Sequence, residues 1–352
     1  MISSKAKMTN AERYHALLER KPLDRVLFTH KGYDFCSRNC GIPKADIYDN
    51  PSVSYKAQKL TMEQYNAELA PFYTFVAYGS WEFGGEIKWP EDRFGSGPGV
   101  LRRPVVNKED VFKLKLPDVK TAGCIPMQME FARIQQKEGT QIGFIYGSPF
   151  TFAANLCGVD TFLLWAATEP EVVHHAMRLM TDHLKQVADY FIAEFGAENV
   201  LPRSASPTDG LISPRMYEKF VFPYRKELHE YVLQKGVKHI YDHICGEQNK
   251  NLKLLAQLPW GDPGILSFGS EVDLLTAGEY FPNDVICGNI EPVIVTTNEP
   301  EEVYEACRVN IERGKQLGHR YIFMGGCTIS AATPPVNIYM MSKAAEDFGY
   351  YD

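Results

Sequence analysis

The sequence predicts a (β/α)8 barrel, in which eight parallel strands alternate with helices around a closed sheet. Two observations lead to this fold: eight short β-rich segments are spread along the 352 residues, and helical patterns lie between most of them. Such a barrel takes about 250 residues, which leaves roughly 100 for extensions and insertions. A doubly wound open sheet is the competing architecture. The β-rich segments are residues 25–32, 72–78, 141–148, 199–205, 237–245, 265–269, 284–290 and 321–327.

Helix-start signals support the helical half of the pattern. Thr9 and Thr168 are each followed three residues later by a glutamate, the spacing of a capping box, and Ser213 precedes a proline that suits a first helical turn. Apolar residues then recur at helical spacing over 169–195 and stop at Gly196. The helix that begins at Thr9 precedes the first strand, so it is expected to form an N-terminal helical extension.

The surplus length is concentrated in residues 79–136, which are rich in glycine, proline and charge. This stretch has no core-sized apolar set of its own, so we expect an insertion after strand 2 and not a separate domain. With 45% hydrophobic residues, the chain is expected to form one domain over 1–352.

Composition excludes several classes of function. A formal net charge of −7 without a long basic run argues against nucleic-acid binding, and no apolar run is long enough to span a membrane. The first residues contain no apolar signal region, so we expect a cytoplasmic protein. Its eight cysteines are then expected to be reduced thiols that remain available as ligands.

The segment 237–245 ends in His243, Ile244 and Cys245, and the segment 321–327 ends in Cys327. Alternate residues of a strand point to the same side, so the histidine and the first cysteine would project together. One imidazole and two thiolates can hold zinc tetrahedrally and leave a fourth position open, as catalytic zinc sites do. The alternative to a metal site is that all three side chains are ordinary core residues. Two glycines before Cys327 suggest that the backbone there comes close to another group.

Other residues follow predicted strands and are candidates for contact with a substrate. Tyr33, Tyr78 and Tyr146 could line an aromatic pocket, although core packing is the better explanation for at least half of the early aromatic residues. Polar candidates at the same end of the barrel could orient the ligand histidine or bind substrate, with loop turns and helix caps as the alternative. These polar residues are Asp209, Glu271 and Asn289.

The chain resembles the uroporphyrinogen decarboxylase superfamily and, within it, the zinc-dependent cobalamin methyltransferases. The likeness covers most of the sequence and is strongest in HICGE, LSFGSEVDL, CGNIEP and GGCTISAATPPVN. It also includes TNAERYHALLERKPLDRV, GSPFTFAANLCGVDTFL and SPTDGLISPRMYEKFVFPYRKEL. The resemblance implies a (β/α)8 barrel with its pocket at the carboxyl ends of the strands. His243, Cys245 and Cys327 match the zinc ligands of the methyltransferase branch residue by residue.

The sequence departs from the decarboxylases at the positions that bind and decarboxylate porphyrinogens. FTHKGYDFCSRNC stands where they have an arginine-rich motif, and FVAYGSWEFGG stands where they have an essential aspartate. Gly325-Gly326-Cys327 replaces their Gly-His-Gly. The resemblance therefore implies zinc chemistry in place of porphyrin decarboxylation.

The resemblance implies methyl transfer between a small molecule and the cobalt of a corrinoid (cobalamin), carried by a small corrinoid-binding partner protein. The early aromatic residues favour a methyl donor such as a methoxylated aromatic, as in O-demethylase systems. One alternative is transfer from methylcobalamin to a thiol like coenzyme M, and a second is a metal-free decarboxylase or lyase on the same barrel. A non-catalytic corrinoid-binding protein is disfavoured because the Asp-x-His-x-x-Gly motif is absent. A homodimer is an open option.

Overall fold

The computed structural model describes residues 6–91, 97–208 and 210–351 of the chain. Its main sheet has seven strands in the order β1-β9-β8-β7-β6-β5-β4, and all neighbours are parallel. Two further strands, β2 and β3, form an antiparallel hairpin. The strands are β1 Leu27–Phe28, β2 Glu86–Lys88, β3 Gly99–Arg102, β4 Ile142–Ile145, β5 Val200–Ser206, β6 Tyr241–Ile244, β7 Ile265–Phe268, β8 Val285–Ile290 and β9 Tyr321–Gly325.

Helices surround this sheet and connect its strands. A 3-10 turn, Ala197–Asn199, precedes β5, and a π-helical turn, Tyr217–Val221, lies within the helical segment that follows it. The α-helices of the described residues are α1 Asn10–Leu18, α2 Tyr33–Asn39, α3 Lys44–Asp49, α4 Pro51–Gln64, α5 Lys108–Val111, α6 Ile125–Glu138, α7 Pro149–Cys157, α8 Val159–Thr168, α9 Pro170–Phe195, α10 Pro214–Met216, α11 Phe222–Gln234, α12 Leu252–Leu255, α13 Leu274–Tyr280, α14 Pro292–Thr297, α15 Pro300–Lys315 and α16 Pro335–Phe348. The predicted (β/α)8 barrel class is confirmed.

The second barrel position differs from the prediction. Residues 72–78 do not form a regular strand, because side-chain amides take the place of a backbone ladder there. Gln135 donates from Nε2 to the Pro71 carbonyl (2.8 Å) and accepts from the Gly143 N–H of β4 (3.1 Å). On the other side, the Glu68 N–H donates to the Phe28 carbonyl of β1 (2.7 Å). Proline has no N–H to offer to a ladder, which is one reason why the strand is interrupted.

The insertion after this segment is shorter than the predicted 79–136. It contains the β2–β3 hairpin and α5, whereas α6 belongs to the barrel. Gln128 and Gln135 of α6 accept hydrogen bonds from the N–H groups of Ile145 and Gly143 in β4. Phe131 of the same helix packs on the rings of Tyr55 and Tyr73. A helix that is tied to a barrel strand in this way is a barrel helix.

Two of the three predicted helix starts are confirmed. The Thr9 hydroxyl accepts from the Glu12 N–H in a capping box, and the Ser213 hydroxyl accepts from the Met216 N–H. The Thr168 start is wrong: its hydroxyl donates to the Leu164 carbonyl, and α9 begins at Pro170 instead. A proline in the first turn fixes the entry without a side-chain cap.

Alternate strand residues point into the barrel and form a small apolar cluster at the amino-terminal ends of the strands. The much larger core lies between the strands and the helices. Ala16 and Leu17 of helix α1 pack against the small cluster. The strand residues of the small cluster are Leu27, Leu201, Tyr241, Ile265, Val285, Cys287, Ile322 and Met324.

In the part of the chain that the structure describes, no single helix is long and apolar enough to cross a membrane. One bent pair, α7 with α8, meets the length and composition criteria only when the two helices are taken together.

Candidate metal centre

Strand β6 delivers two of the candidate ligands to the inside of the barrel. Tyr241 and His243 face inward, and Cys245 continues the same phase just beyond the strand end. Asp242 faces the opposite way and meets Arg225 of α11 at 3.0 Å, with both side chains at most 1% exposed. The ion pair on the outer side of β6 therefore fixes the strand that carries the ligands.

The third ligand follows β9 after two glycines. A Cβ placed on Gly326 would lie 2.9 Å from the Ser270 nitrogen, so only glycine fits between β9 and the loop after β7. The Gly326 N–H donates to the Ile290 carbonyl at 2.7 Å. The predicted close approach at these glycines is confirmed, and it sets Cys327 opposite Cys245.

The three side chains converge on one point at the carboxyl ends of the strands. The ligand atoms of His243, Cys245 and Cys327 all lie within 4.8 Å of one another, and the two sulfurs are 4.0 Å apart. In a tetrahedral site with Zn–S bonds of about 2.3 Å, two sulfurs lie about 3.8 Å apart. A disulfide would require about 2.05 Å, so both thiols are free.

The surroundings of His243 leave one ring nitrogen for a metal. Its Nδ1 lies 3.2 Å from the Ser267 hydroxyl of the adjacent strand β7, in direct register. Its Nε2 is buried and has no hydrogen-bond partner among the described residues. A metal-binding histidine is typically held through its other nitrogen in this way, so the donor set fits a zinc ion.

The electrostatics of the two thiols also suit a metal. The hydrogen bond from Cys245, and then the nearby imidazole of His243, hold the pKa of Cys327 well below its ordinary value. The pKa of Cys245 is raised, first by its hydrogen bond to Cys327, then by burial, and further by the negative charges of Cys327 and Glu271. Without a metal the pair therefore shares one proton, and a cation between the sulfurs would displace it.

A cation that the sequence did not single out lies next to these ligands. Lys31 follows β1, is 8% exposed, and places its Nζ 5.9 Å from the centre of the Tyr241 ring. Its charge contributes to the lowered pKa values of Cys327 and His243, which places it close to both. A lysine at the end of a barrel strand is the signal in the sequence that points to this cation.

The three tyrosines expected at a substrate lie instead in the core between strands and helices. Tyr33 donates to the Ile47 carbonyl (2.6 Å), Tyr146 donates to the Leu228 carbonyl (2.8 Å), and the Tyr78 hydroxyl lies 3.0 Å from His183 Nε2. All three are at most 2% exposed. That expectation is therefore wrong, because their hydroxyls are satisfied inside the outer core.

Of the described polar candidates, Glu271 is the one whose charge acts on a metal-ligand candidate. It is exposed in the loop after β7, and its charge reaches Cys245. Asn289 is 8% exposed and holds this same loop, donating to the Gly269 and Val272 carbonyls at 2.9 and 2.7 Å. Its amide is thus engaged in positioning the loop. Asp209 lies outside the described residues.

Comparisons with known proteins agree with this geometry. The uroporphyrinogen decarboxylase (URO-D) family matches residues 9–348. A methylcobamide:CoM methyltransferase, MtbA, of Methanosarcina acetivorans is 29% identical over 97% of this chain and 99% of its own length. A uroporphyrinogen decarboxylase of Prochlorococcus marinus is 23% identical over 82% of both chains.

A solved structure described as a methyltransferase from Methanosarcina mazei superposes with a TM-score of 0.80. It covers 97% of this chain and 99% of its own, at 21% sequence identity, and so supports the fold. Together with the family match, these likenesses agree with the resemblance seen in the sequence. The chain belongs to the uroporphyrinogen decarboxylase family, in its corrinoid methyltransferase branch.

Proposed function

We propose that the protein transfers a methyl group from a methylated corrinoid to a small anionic thiol, with a zinc ion held by His243, Cys245 and Cys327. The observation that carries this proposal is the convergence of one imidazole and two thiols within 4.8 Å at the catalytic end of the barrel. The printed names of the Methanosarcina relatives, methylcobamide:CoM methyltransferases, support the corrinoid and the thiol.

The residues around the proposed zinc ion would have different roles in the transfer. Zinc in this site would keep one position open, where a substrate thiol would bind and ionise near neutral pH. Two cysteine thiolates balance the charge of Zn²⁺, so the positive charge of Lys31 is left to attract an anionic substrate. Ser267 holds the His243 ring through Nδ1. Glu271 at the mouth, whose charge reaches Cys245, would accept the proton of the incoming thiol.

The transfer balances without another reactant. The thiol gives up its proton, its sulfur forms the bond to the methyl carbon, and the cobalt–carbon bond breaks with its electron pair left on cobalt. A corrinoid on a small separate protein would approach the carboxyl ends of the strands, where Cys245 and Cys327 are half-buried. The proposal thus includes a protein partner at that face.

The methoxylated aromatic donor expected from the sequence is not supported. The aromatic side chains that favoured it, Tyr33, Tyr78 and Tyr146, are packed in the outer core. The cation beside the metal ligands, Lys31, suits an anionic thiol better. The relatives' names likewise describe transfer to a thiol, so we favour that direction.

The proposal can be tested by metal analysis combined with a spectroscopic assay. Protein purified without chelator should contain about one zinc per chain. With methylcobalamin, or with a methylated corrinoid protein, the absorbance change of demethylation should appear with 2-mercaptoethanesulfonate and be weaker with uncharged 2-mercaptoethanol. Methoxyaromatics offered to the Co(I) form should produce no change.

Substitutions make the same test specific. Cys245→Ala and Cys327→Ala should lose zinc and methyl transfer while keeping the circular dichroism of a folded barrel. Cys157→Ala is the matched control, since this half-buried thiol donates to the Gly158 carbonyl away from the metal ligands. Near-normal transfer by both site variants, or less than about half an equivalent of zinc in the wild-type protein, would refute the proposal.

A further inference from the structure

A cavity lies in the amino-terminal half of the barrel, away from the three metal ligands. Its volume is about 610 Å³, a size typical of small-molecule sites. Side chains normally fill the interior of a (β/α)8 barrel in layers, so a hollow of this size is unusual. Its apolar wall is formed by Leu27, Leu201, Ile265, Ile322 and Met324.

The cavity opens at the end of the barrel opposite to the metal centre. Its rim includes Ala11 and His15 of α1, Gln136 and residues 138–141 before β4, and Glu198 and Asn199 before β5. Most of these rim residues are exposed. His243, Cys245 and Cys327 are not among its lining residues. A ligand would therefore enter from the amino-terminal face.

The guanidinium of Arg203 faces this space. The central carbon of Arg203 lies 4.7 Å from the Phe72 ring centre and 4.4 Å from the Tyr241 ring centre. Among the described residues, Arg203 forms no ion pair, and burial lowers its pKa. Contacts with aromatic rings offset only part of the cost of a buried charge.

The backbone opposite Arg203 leaves room for it. A Cβ placed on Gly143 would approach the Arg203 Cδ to 3.0 Å, so the glycine in β4 accommodates this side chain. Lys31, which follows the carboxyl end of β1 and also lines the cavity, is a second cation that forms no ion pair among the described residues. Two positive charges thus face one apolar hollow.

Further buried polar atoms point to the same space. Glu68 Oε2, the Tyr241 hydroxyl and both ring nitrogens of His30 have no hydrogen-bond partner among the described residues, and all three residues are at most 9% exposed. Burial raises the pKa of Glu68 to about 7 and lowers that of His30 to about 4. Unsatisfied groups at this density indicate that something polar completes the site.

We infer that this cavity binds a small organic anion, whose charged end pairs with Arg203 and Lys31 and whose apolar part lies against the wall of Leu27, Leu201 and Ile322. A planar guanidinium suits a carboxylate, which it can hold through two hydrogen bonds. The site contains none of the three metal ligands and does not depend on a metal, and Lys31 lies between it and the metal centre. It is a second ligand site of the barrel.

Hexanoate and its uncharged amide, hexanamide, are matched probes for calorimetric titration of the intact protein. Hexanoate should bind at least about tenfold more tightly, as expected for charge-assisted hydrogen bonds. Binding should be unchanged in Cys327→Ala, which disrupts only the metal centre. Equal binding of the two probes would overturn the inference, and so would loss of hexanoate binding in Cys327→Ala.

Arg203→Met removes the charge and keeps the apolar stem. It should weaken hexanoate binding at least about tenfold. It should also raise the melting temperature of the ligand-free protein, because it removes a partly buried charge that has no ion-pair partner among the described residues. Arg133→Met is the control, since Arg133 pairs with Glu194 on the surface and should leave hexanoate binding unchanged. A lower melting temperature with hexanoate binding retained would show that Arg203 is structural and refute the site.

Discussion

Ser267 determines which nitrogen of His243 can reach a metal. With Nδ1 held at 3.2 Å from this hydroxyl, the ring presents Nε2 to the two thiols. A partner of this kind fixes both the ring orientation and its tautomer. The zinc affinity proposed for this centre therefore depends on a residue that would not touch the ion.

Ser267→Ala should lower zinc affinity about 10- to 100-fold, the usual effect of removing such a partner, while the fold is retained. Competition with a chromogenic chelator measures this directly. Ser342→Ala is the matched control: its buried hydroxyl, in α16, donates to the Tyr65 carbonyl at 2.5 Å and forms no hydrogen bond with any of the three ligands among the described residues. If both variants bind zinc like the wild type, the His243 ring is held by something other than Ser267.

At the scale of elements, the least regular part of the barrel is the second position, where Gln135 of α6 joins residues 67–75 to β4. Its amide satisfies the Pro71 carbonyl and the Gly143 N–H at once. Gln135 is fully buried, so water cannot replace it.

Gln135→Leu would leave both backbone groups without a partner. The expected loss in the free energy of unfolding is about 2–4 kcal/mol, since each buried, unsatisfied group costs about 1–3 kcal/mol. Urea denaturation measures it. Gln136→Leu, at the exposed neighbouring position, should change stability by less than about 0.5 kcal/mol. Equal effects of the two substitutions would rule out the bridging role of Gln135.

Helices α9 and α11 are joined by an acid-sensitive contact. Glu227 of α11 pairs with Arg178 and Lys185 of α9. The Arg178 hydrogen bond is the main cause that lowers the pKa of Glu227 from 4.5 to about 2. A carboxyl with a lower pKa in the folded state adds stability above the unfolded value, and this stability is lost as the pH falls from about 4.5 towards 2.

Glu227→Gln should therefore lower stability at pH 7 and make little difference at pH 2. The effect is on the order of 1 kcal/mol, because the partners are partly exposed to solvent. Urea unfolding at several pH values between 2 and 7 measures this difference. Glu230→Gln on the same helix removes a contact with Lys226 within that helix and should show a smaller dependence. A difference that does not shrink towards pH 2 would contradict the assignment.

At the scale of the whole molecule, the parts that follow from strand periodicity could be predicted from the sequence. The alternation in β6 placed His243 and Cys245 on one side, and the strand ends placed Cys327 with them. Periodicity could not show that Gln135 would replace a ladder at the second position, because that bond joins residues far apart in the chain. Nor could it tell that Tyr33 points away from the barrel axis.

The substrate side of the site was harder to predict for a physical reason. A tyrosine that follows a strand looks the same in the sequence whether its hydroxyl binds a ligand or donates to a carbonyl of a neighbouring helix. Lys31 and Arg203 gave little signal because isolated cations are common, and what distinguishes these two is the lack of an acidic partner in space. Whether a cation has an acidic partner can be seen only in the folded structure, because such partners are often distant in the sequence.

The amide bridge of Gln135 has an evolutionary consequence. Backbone ladders form whatever the side chains are, so most of a barrel tolerates mutation without opening. Here part of the closure of the barrel depends on two particular side chains, Gln58 and Gln135. Their amides donate to the Phe72 and Pro71 carbonyls, respectively. Selection would therefore act on these two positions through the stability of the barrel, although neither glutamine has a part in the proposed chemistry.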